Sequence, residues 1–102
     1  MAELVDAFLD HLATTLPLVV SAAAAGDLAK VAKEVHSIKG SSRQIGIEVT
    51  SAICQQIETF AQENKLDDVR ALTGRLEEES KAVRRVLGIY RKNLSAEPVQ
   101  TG

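Results

Sequence analysis

Apolar residues recur along most of the chain at spacings of three and four, which places their side chains on one face of an α-helix. Near the N-terminus this pattern consists of Leu4, Phe8, Leu12 and Leu16. Toward the C-terminus it consists of Val69, Leu72, Leu76, Val83, Val86 and Tyr90. No segment alternates apolar and polar residues as a half-buried strand would. The pattern therefore predicts an all-α chain.

Glycine and proline residues indicate where these helices begin and end. Pro17 suits the first turn of a new helix, and Gly26 followed by Asp27 is typical of a helix end and the next N-cap. The predicted elements are one or two short N-terminal helices and three long helices over 27–44, 46–63 and 66–94. Short connections make successive long helices antiparallel. The prediction is an up-down four-helix bundle with one or two short additional N-terminal helices.

Length and composition narrow the protein class. A chain of 102 residues forms one domain, and we assign 1–95 to a single helical bundle and 96–102 to a disordered C-terminal tail. Because 14 Asp and Glu residues outnumber 12 Lys and Arg residues, a general nucleic-acid binder is not expected. The longest apolar run, Leu16 to Ala25, is shorter than the roughly 20 residues of a membrane span. A single cysteine cannot form an internal disulfide, and no basic N-terminal segment leads into an apolar signal core, so a cytoplasmic location is expected.

The predicted helix over 27–44 has two distinct faces. Its apolar face consists of Leu28, Val31, Val35, Ile38 and Ile45. The second face, which we expect to be exposed or at the edge of the exposed surface, consists of Ala29, Ala32, Lys33, His36, Lys39, Gly40 and Arg43. Glycine inside a helix costs about 1 kcal/mol relative to alanine, so Gly40 indicates a functional requirement for close approach to His36.

The chemistry of the second face centres on one imidazole. A neutral imidazole is a good nitrogen nucleophile near pH 7, and it is a good leaving group once phosphorylated. We expect the neighbouring cations to disfavour the imidazolium form of His36 in the free protein. Lys39 could offset part of the charge of a phosphoryl group, and exposure should keep that pairing near 1 kcal/mol or less.

These residues resemble a known family. The run from His36 to Ser42, with Gly46 ten residues after the histidine, is similar to the signature of histidine-containing phosphotransfer (HPt) domains. The resemblance extends over about residues 4–90 and includes Phe8, Ala23, Ala24, Gly26, Asp27, Cys54 and Glu58.

The resemblance implies a fold, an activity and roles for several residues. HPt domains are small helical bundles that relay phosphoryl groups between aspartates of response-regulator receiver domains. His36 would carry the phosphoryl group on its outer ring nitrogen, Lys39 would stabilise that group, and Gly40 would leave room for the receiver. Glu58 stands where some family members hold a carboxylate that orients the imidazole. A simple surface position for Glu58 is an equally open interpretation.

The partners implied are receiver domains and a hybrid sensor histidine kinase. The surface expected to bind them includes Ala32, Lys33, Arg43 and Gln44. It also includes Phe8, which we expect to be exposed on the first helix together with Val5 and Leu9. Arg43 and Gln44 depart from the small or uncharged residues common in the family and could alter receiver choice.

The expected protein is a monomeric phosphocarrier without ATP-dependent autokinase activity. No phosphate-binding loop is present in the sequence, and no cofactor is expected, since Mg²⁺ would belong to the receiver. We interpret His11 as a solvated residue and Cys54 as a buried, inert one. Two alternatives stay open: a phosphorylation-independent adapter that binds a receiver or kinase, and a structural helical dimer formed through the C-terminal apolar stripe.

Overall fold

The protein is an antiparallel bundle of helices. The computed structural model describes the backbone of residues 2–101 and the side chains of residues 3–89. Within this part of the chain there is no strand, and the four helices are α1 (Ala2–Ala25), α2 (Leu28–Gln44), α3 (Glu48–Gln62) and α4 (Leu66–Thr101). α1 packs against α2 and α4, and α3 packs against the same two helices. The prediction of an all-α four-helix bundle is confirmed.

Short turns at predicted positions make the helices antiparallel. Gly26 ends α1 with a φ of +77°, and the Asp27 carboxylate accepts a hydrogen bond of 3.2 Å from the Lys30 backbone N–H at the start of α2. Gly46, with a φ of +81°, and Asn64, with a φ of +60°, occupy the two later turns. Left-handed backbone is accessible to glycine and tolerated by asparagine, so these residues permit the abrupt reversals.

The N-terminal region differs from the prediction of one or two short helices. α1 is one helix through Ala25, with Pro17 inside it. Proline removes one helical hydrogen bond and crowds the carbonyl four residues earlier, here that of Ala13. Pro17 and Ala13 are both exposed, so water can reach this carbonyl. Buried Leu12, Leu16 and Val19 lie on both sides of the proline, and their packing holds the helix together through it.

The core forms where each helix turns its apolar stripe inward. The predicted apolar face of α2 is confirmed at Val31, Val35 and Ile38, which have no exposed surface. Its partners from the other helices are also fully buried and include Leu12, Val19, Ile57, Val69 and Leu76. Complete burial of such a side chain contributes about 1.5–3 kcal/mol to folding, so these contacts determine how α2 faces its neighbours.

Phe8 belongs to this core, which corrects its predicted place on the docking surface. Its side chain is 3% exposed, Val5 is also buried, and Leu9 packs against the core. The four-residue spacing of the α1 stripe places Phe8 in line with Leu12 and Leu16, so the ring faces inward. Leu4, at the edge of the same stripe, is the exposed large apolar residue of this turn.

α4 buries only part of the apolar stripe seen in the sequence. Val69, Leu76 and Val83 are buried, whereas Val86 is 64% exposed. The side chain of Tyr90 lies outside the described residues. α4 continues to Thr101, past the predicted end at Leu94. The side chains of the predicted tail, 96–102, also lie outside the described residues, and that tail stays a prediction.

One segment of the described chain has the length and apolar composition of a membrane-spanning helix. This segment is Glu3–Ala25, which forms almost all of α1. A helix in the core of a bundle meets the same criteria, and α1 contributes Leu12 and Val19 to the core here. The composition of α1 is therefore weak support for a membrane span.

Candidate functional site

The imidazole of His36 lies on the outer surface of the bundle, and the residues next to it on α2 pack into the core. Val35 and Ile38, its neighbours on α2, are fully buried and fix the rotation of the helix. The His36 side chain is 66% exposed. A partner can therefore reach the ring without any movement of the core.

The carboxylate of Glu58 on α3 contacts the inner edge of this ring. Its Oε2 atom lies 2.9 Å from Nδ1 of His36. A carboxylate only accepts hydrogen bonds, so Nδ1 carries the proton and donates it to Glu58. In a neutral imidazole the lone pair is then on Nε2. Within residues 3–89, Nε2 makes no hydrogen bond, so the nucleophilic nitrogen is on the accessible side.

Lys39 is buried between α2 and α3, which corrects its expected place on the exposed face. Its side chain is 10% exposed, and Nζ lies 2.6 Å from Oε1 of Glu58 and 2.9 Å from Oε1 of Gln55. The helical wheel placed Lys39 on the second face, together with His36. Because the apolar stem of lysine can lie along the helix–helix contact, the ammonium group reaches acceptors on α3.

Both oxygens of the Glu58 carboxylate are occupied, and the group is 14% exposed. The hydrogen bond from Lys39 is the main cause that lowers the pKa of Glu58. Partial burial opposes this effect, and the hydrogen bond from His36 adds to it. Glu58 is therefore a carboxylate at neutral pH, paired with an ammonium ion on one side and an imidazole N–H on the other.

Cys54 lies beneath this cluster, one turn before Glu58 on α3. The thiol is fully buried, which confirms the predicted buried position. Burial raises the pKa of Cys54 to about 12, although the charge of Lys39 opposes the rise and that of Glu58 adds to it. The side chain is a neutral thiol at physiological pH, and it is a packing residue of the site.

The remaining predicted site residues surround His36 on α2. A Cβ atom added to Gly40 would meet no atom within 4 Å apart from the adjacent backbone of α2, so the surface next to the imidazole is open. Ala32 is half-buried, and the exposed members of the set are Lys33, Arg43 and Gln44. The structure thus brings both His36 and Lys39 into contact with Glu58, while the other α2 residues border them and Phe8 lies in the core.

Two residues of the site region were not predicted. Gln55 contacts Lys39, and its position one turn before Glu58 on α3 is the signal that would have identified it. His11, interpreted as solvated, instead connects two helices: its Nε2 lies 2.8 Å from Oγ of Ser37, the residue after His36. The antiparallel packing of α1 against α2 creates this contact, and single-helix patterns do not reveal it.

The described residues were also compared with the requirements of a metal site. Within this part of the chain, no group of three or more His, Cys, Asp or Glu side chains is placed to hold a metal ion. The site consists of one exposed nucleophile with a charged pair behind it.

Comparisons with known proteins relate the chain to a family of helical domains. The family model of the Hpt domain matches residues 3–86, which confirms the resemblance seen around His36. A curated relative, the phosphorelay intermediate protein rdeA of Dictyostelium discoideum, is 29% identical over 91 residues. The alignment covers 89% of this chain and 36% of the relative, so the chain spans about a third of that protein. No solved structure matches. The match over residues 3–86 shows that the chain belongs to the Hpt domain family.

Proposed function

We propose that this chain is a histidine phosphotransfer protein or domain that carries a phosphoryl group between receiver-domain aspartates in a multistep phosphorelay. The observation that carries the proposal is the 2.9 Å contact between Nδ1 of His36 and Glu58, which leaves Nε2 as an accessible nucleophile. Membership of the Hpt domain family supports it. The name of the Dictyostelium relative, a phosphorelay intermediate protein, supports it as well.

The proposed transfer is a direct displacement at phosphorus. The Nε2 lone pair forms the P–N bond as the bond between phosphorus and the aspartyl oxygen breaks, and the aspartate leaves as a carboxylate. Nε2 carries no proton at the start, so none has to be removed. The imidazole ring gains positive charge while the bond forms, and the Nδ1–H···Oε2 hydrogen bond to Glu58 stabilises that charge. The same steps in reverse return the phosphoryl group to a second aspartate.

The partners of this reaction are proposed to be receiver domains and a hybrid sensor histidine kinase. The receiver would supply Mg²⁺ and its own acidic pocket, so the carrier would need no cofactor. The phosphoryl group would come from a partner and not from an autokinase reaction with ATP. The open surface at Gly40 and the exposed ring of His36 fit a transient docking contact by a cytoplasmic monomer.

The experiment that tests the proposal is phosphorylation of the purified protein with phosphoramidate, followed by addition of receiver domains. Wild type is expected to gain an acid-labile label that moves to a receiver, and His36→Gln is expected to fold normally and gain none. His11→Gln is the matched control, because it removes the other histidine and should retain the label.

Three results would contradict the carrier role. These are an unlabelled wild type, a label that survives in His36→Gln, and a label that no receiver accepts. Receiver binding that persists in His36→Gln without any labelling of wild type would support the phosphorylation-independent adapter.

A further inference from the structure

A groove runs between α1 and α4, on the side of the bundle opposite to His36. α1 packs against α2 and α4, and α3 packs against the same two helices, so the α1–α4 groove is opposite to the α2–α3 contact of His36 and Glu58. Its volume is about 430 Å³, which is within the range of small-molecule binding sites in proteins. The groove and the site around His36 share no lining residue, so the proposed phosphoryl transfer leaves this surface unused.

The α1 wall of the groove is largely apolar. Leu16, Pro17 and Val20 line it, and Pro17 is the exposed member of the three. Among residue types, proline is the least favourable inside a helix, because it lacks the backbone N–H and crowds the preceding turn. Residues that break a local rule in this way concentrate at functional sites, which makes the position of Pro17 on this wall informative.

The α4 wall carries a buried hydroxyl group without a hydrogen-bond partner. Ser80 lines the groove, is 2% exposed, and its Oγ atom makes no hydrogen bond within residues 3–89. Thr73, two turns earlier on the same face of α4, donates to the Val69 carbonyl at 2.7 Å, so a place on this face does not prevent such a bond. Thr50 on α3 is the other such open hydroxyl and is not part of the groove. An unpaired buried hydroxyl is unfavourable, and a ligand oxygen that enters the floor of the groove would supply the missing partner of Ser80.

Two cations lie beside Ser80 at the same end of the groove. Lys81 and Arg84 line it, and both side chains are exposed. The ammonium group of Lys81 is 3.4 Å from the exposed carboxylate of Glu78, a contact that solvent weakens. The guanidinium group of Arg84 makes no hydrogen bond or ion pair within residues 3–89. Its N–H donors are therefore available, and their planar arrangement matches the two oxygens of a carboxylate.

The net charge of the groove is positive, with the carboxylate of Glu77 at its other end. Glu77 is half-buried and lies four residues before Lys81 on α4. It also lines a second cavity of about 440 Å³, which continues the groove along α1 and α4. Two cations against one carboxylate favour an anionic ligand, and Glu77 would repel a second negative group. The ligand that fits therefore carries its negative charge at one end and is apolar elsewhere.

We propose that the α1–α4 groove binds a small organic carboxylate with an apolar body. The carboxylate pairs with Arg84 and Lys81 and accepts the hydrogen bond of the Ser80 hydroxyl, while the apolar body lies against the α1 wall. The size of the groove favours a small molecule over a protein partner, since specific protein interfaces bury at least about 1,000 Å². Because His36 stays exposed on the opposite side, the proposal is independent of the carrier function.

The first test is an NMR titration of the ¹⁵N-labelled protein with octanoate, which combines one carboxylate with an apolar chain. Saturable shifts are expected at the backbone amides of Leu16, Val20 and Ser80, with the amide of His36 unchanged. 1-Octanol has the chain without the charge, and propionate has the charge with a short chain. Each is expected to bind at least about tenfold more weakly than octanoate. Equal affinities for octanoate and 1-octanol, or the absence of saturable shifts in the groove, would overturn the proposal.

The second test removes the cation that has no partner. Arg84→Gln is expected to weaken the binding of octanoate about tenfold, because the charge-assisted hydrogen bonds to the carboxylate are lost. Arg75→Gln is the matched control, since it makes the same change at an exposed position of α4 outside the groove. It should leave the affinity unchanged. Equal losses in the two variants would mean that octanoate responds to the overall charge of α4, and they would overturn the site.

The third test addresses the open hydroxyl. Ser80→Ala is expected to bind octanoate about fivefold more weakly than wild type, because the ligand loses one hydrogen bond. Thr50→Val, which removes the open hydroxyl on α3, is the matched control and should leave the affinity unchanged. Circular dichroism on each variant separates a loss of binding from unfolding. An affinity that Ser80→Ala and Arg84→Gln both leave unchanged would overturn the site, and a loss in Arg84→Gln alone would overturn the part assigned to Ser80.

Discussion

Nδ1 of His36 and Oε2 of Glu58 lie 2.9 Å apart, although the two residues are 22 positions apart in the chain. This contact joins α2 to α3 and determines which ring nitrogen faces outward. A change of one residue in the register of α3 would turn Glu58 by about 100° away from the ring. The reactivity of the exposed imidazole is therefore coupled to the packing of two helices.

Glu58→Gln tests whether a carboxylate is needed to accept hydrogen bonds from both His36 and Lys39. An amide offers a single oxygen, so either Lys39 or the Nδ1 proton of His36 must face an NH₂ group. If Lys39 retains the oxygen, the ring adopts the tautomer with the proton on Nε2. We expect ring ¹⁵N shifts of that tautomer and labelling by phosphoramidate about tenfold slower, the equivalent of one lost hydrogen bond.

Glu48→Gln, a change of the same kind at the exposed start of α3, should alter neither readout. Wild-type shifts and labelling in Glu58→Gln would mean that the contact with Nδ1 does not control the tautomer.

Because the pKa of Glu58 is lowered in the folded protein, part of the free energy of unfolding is lost at low pH. The Lys39 hydrogen bond stabilises the carboxylate form in the folded protein. This contribution is fully present above the ordinary pKa of 4.5 and is lost as the pH falls through the lower folded pKa. Urea unfolding between pH 7 and pH 3 should therefore show a steeper loss of stability for wild type than for Glu58→Gln. Parallel curves for the two proteins would contradict the pairing.

Substitutions at Gly40 distinguish the docking of a receiver from the chemistry at His36. Apart from the adjacent backbone of its own helix, no atom lies within 4 Å of a Cβ built at Gly40 or at Gly74, and both residues are inside helices. Alanine at either position should raise the free energy of unfolding by about 0.5–1 kcal/mol, because glycine is the poorer helix former. Gly40→Leu should in addition block transfer to a receiver while labelling by phosphoramidate continues, since only the large partner needs the space.

Gly74→Leu is the matched control, because Gly74 lies on α4 beside α1 and away from His36. It should leave transfer to the receiver unchanged. Normal transfer in Gly40→Leu, measured by movement of the label, would show that the receiver does not approach over this residue.

The sequence predicts which residues of the site share a face of α2, but it does not predict the contacts between helices. Ala32, Lys33, Gly40 and Arg43 lie with His36 on α2, so helical spacing alone placed them on one surface. The burial of Lys39 depends on the acceptors of Glu58 and Gln55, which α3 brings to it by packing. Helical spacing gives a rotation about one axis, and a residue near the edge of a stripe can face either way until the neighbouring helix is in place.

Pro17 illustrates a second limit, since its local preference for a helix start was overridden by burial along α1. Pro17→Ala restores the missing backbone hydrogen bond to the exposed carbonyl of Ala13. We expect the free energy of unfolding to rise by about 1–3 kcal/mol, reduced somewhat because proline also restricts the unfolded chain. Urea denaturation provides the measurement, with Ser21→Ala as the control one turn later. An unchanged or lower free energy of unfolding would show that Pro17 does not destabilise α1.

Cys54 provides a test of burial beneath the site that is independent of phosphoryl transfer. Burial raises the pKa of the thiol from 9.0 to about 12, and the side chain has no exposed surface. Because only the thiolate reacts, alkylation or disulfide exchange at pH 8 should be at least about a thousandfold slower than at an exposed cysteine. Urea that unfolds the bundle should remove the protection. The matched control places cysteine at the exposed Gln56 position in a Cys54→Ala background. Equal rates for the two folded proteins would mean that the packing around Cys54 opens freely, and the site would then lack the rigid support inferred for His36.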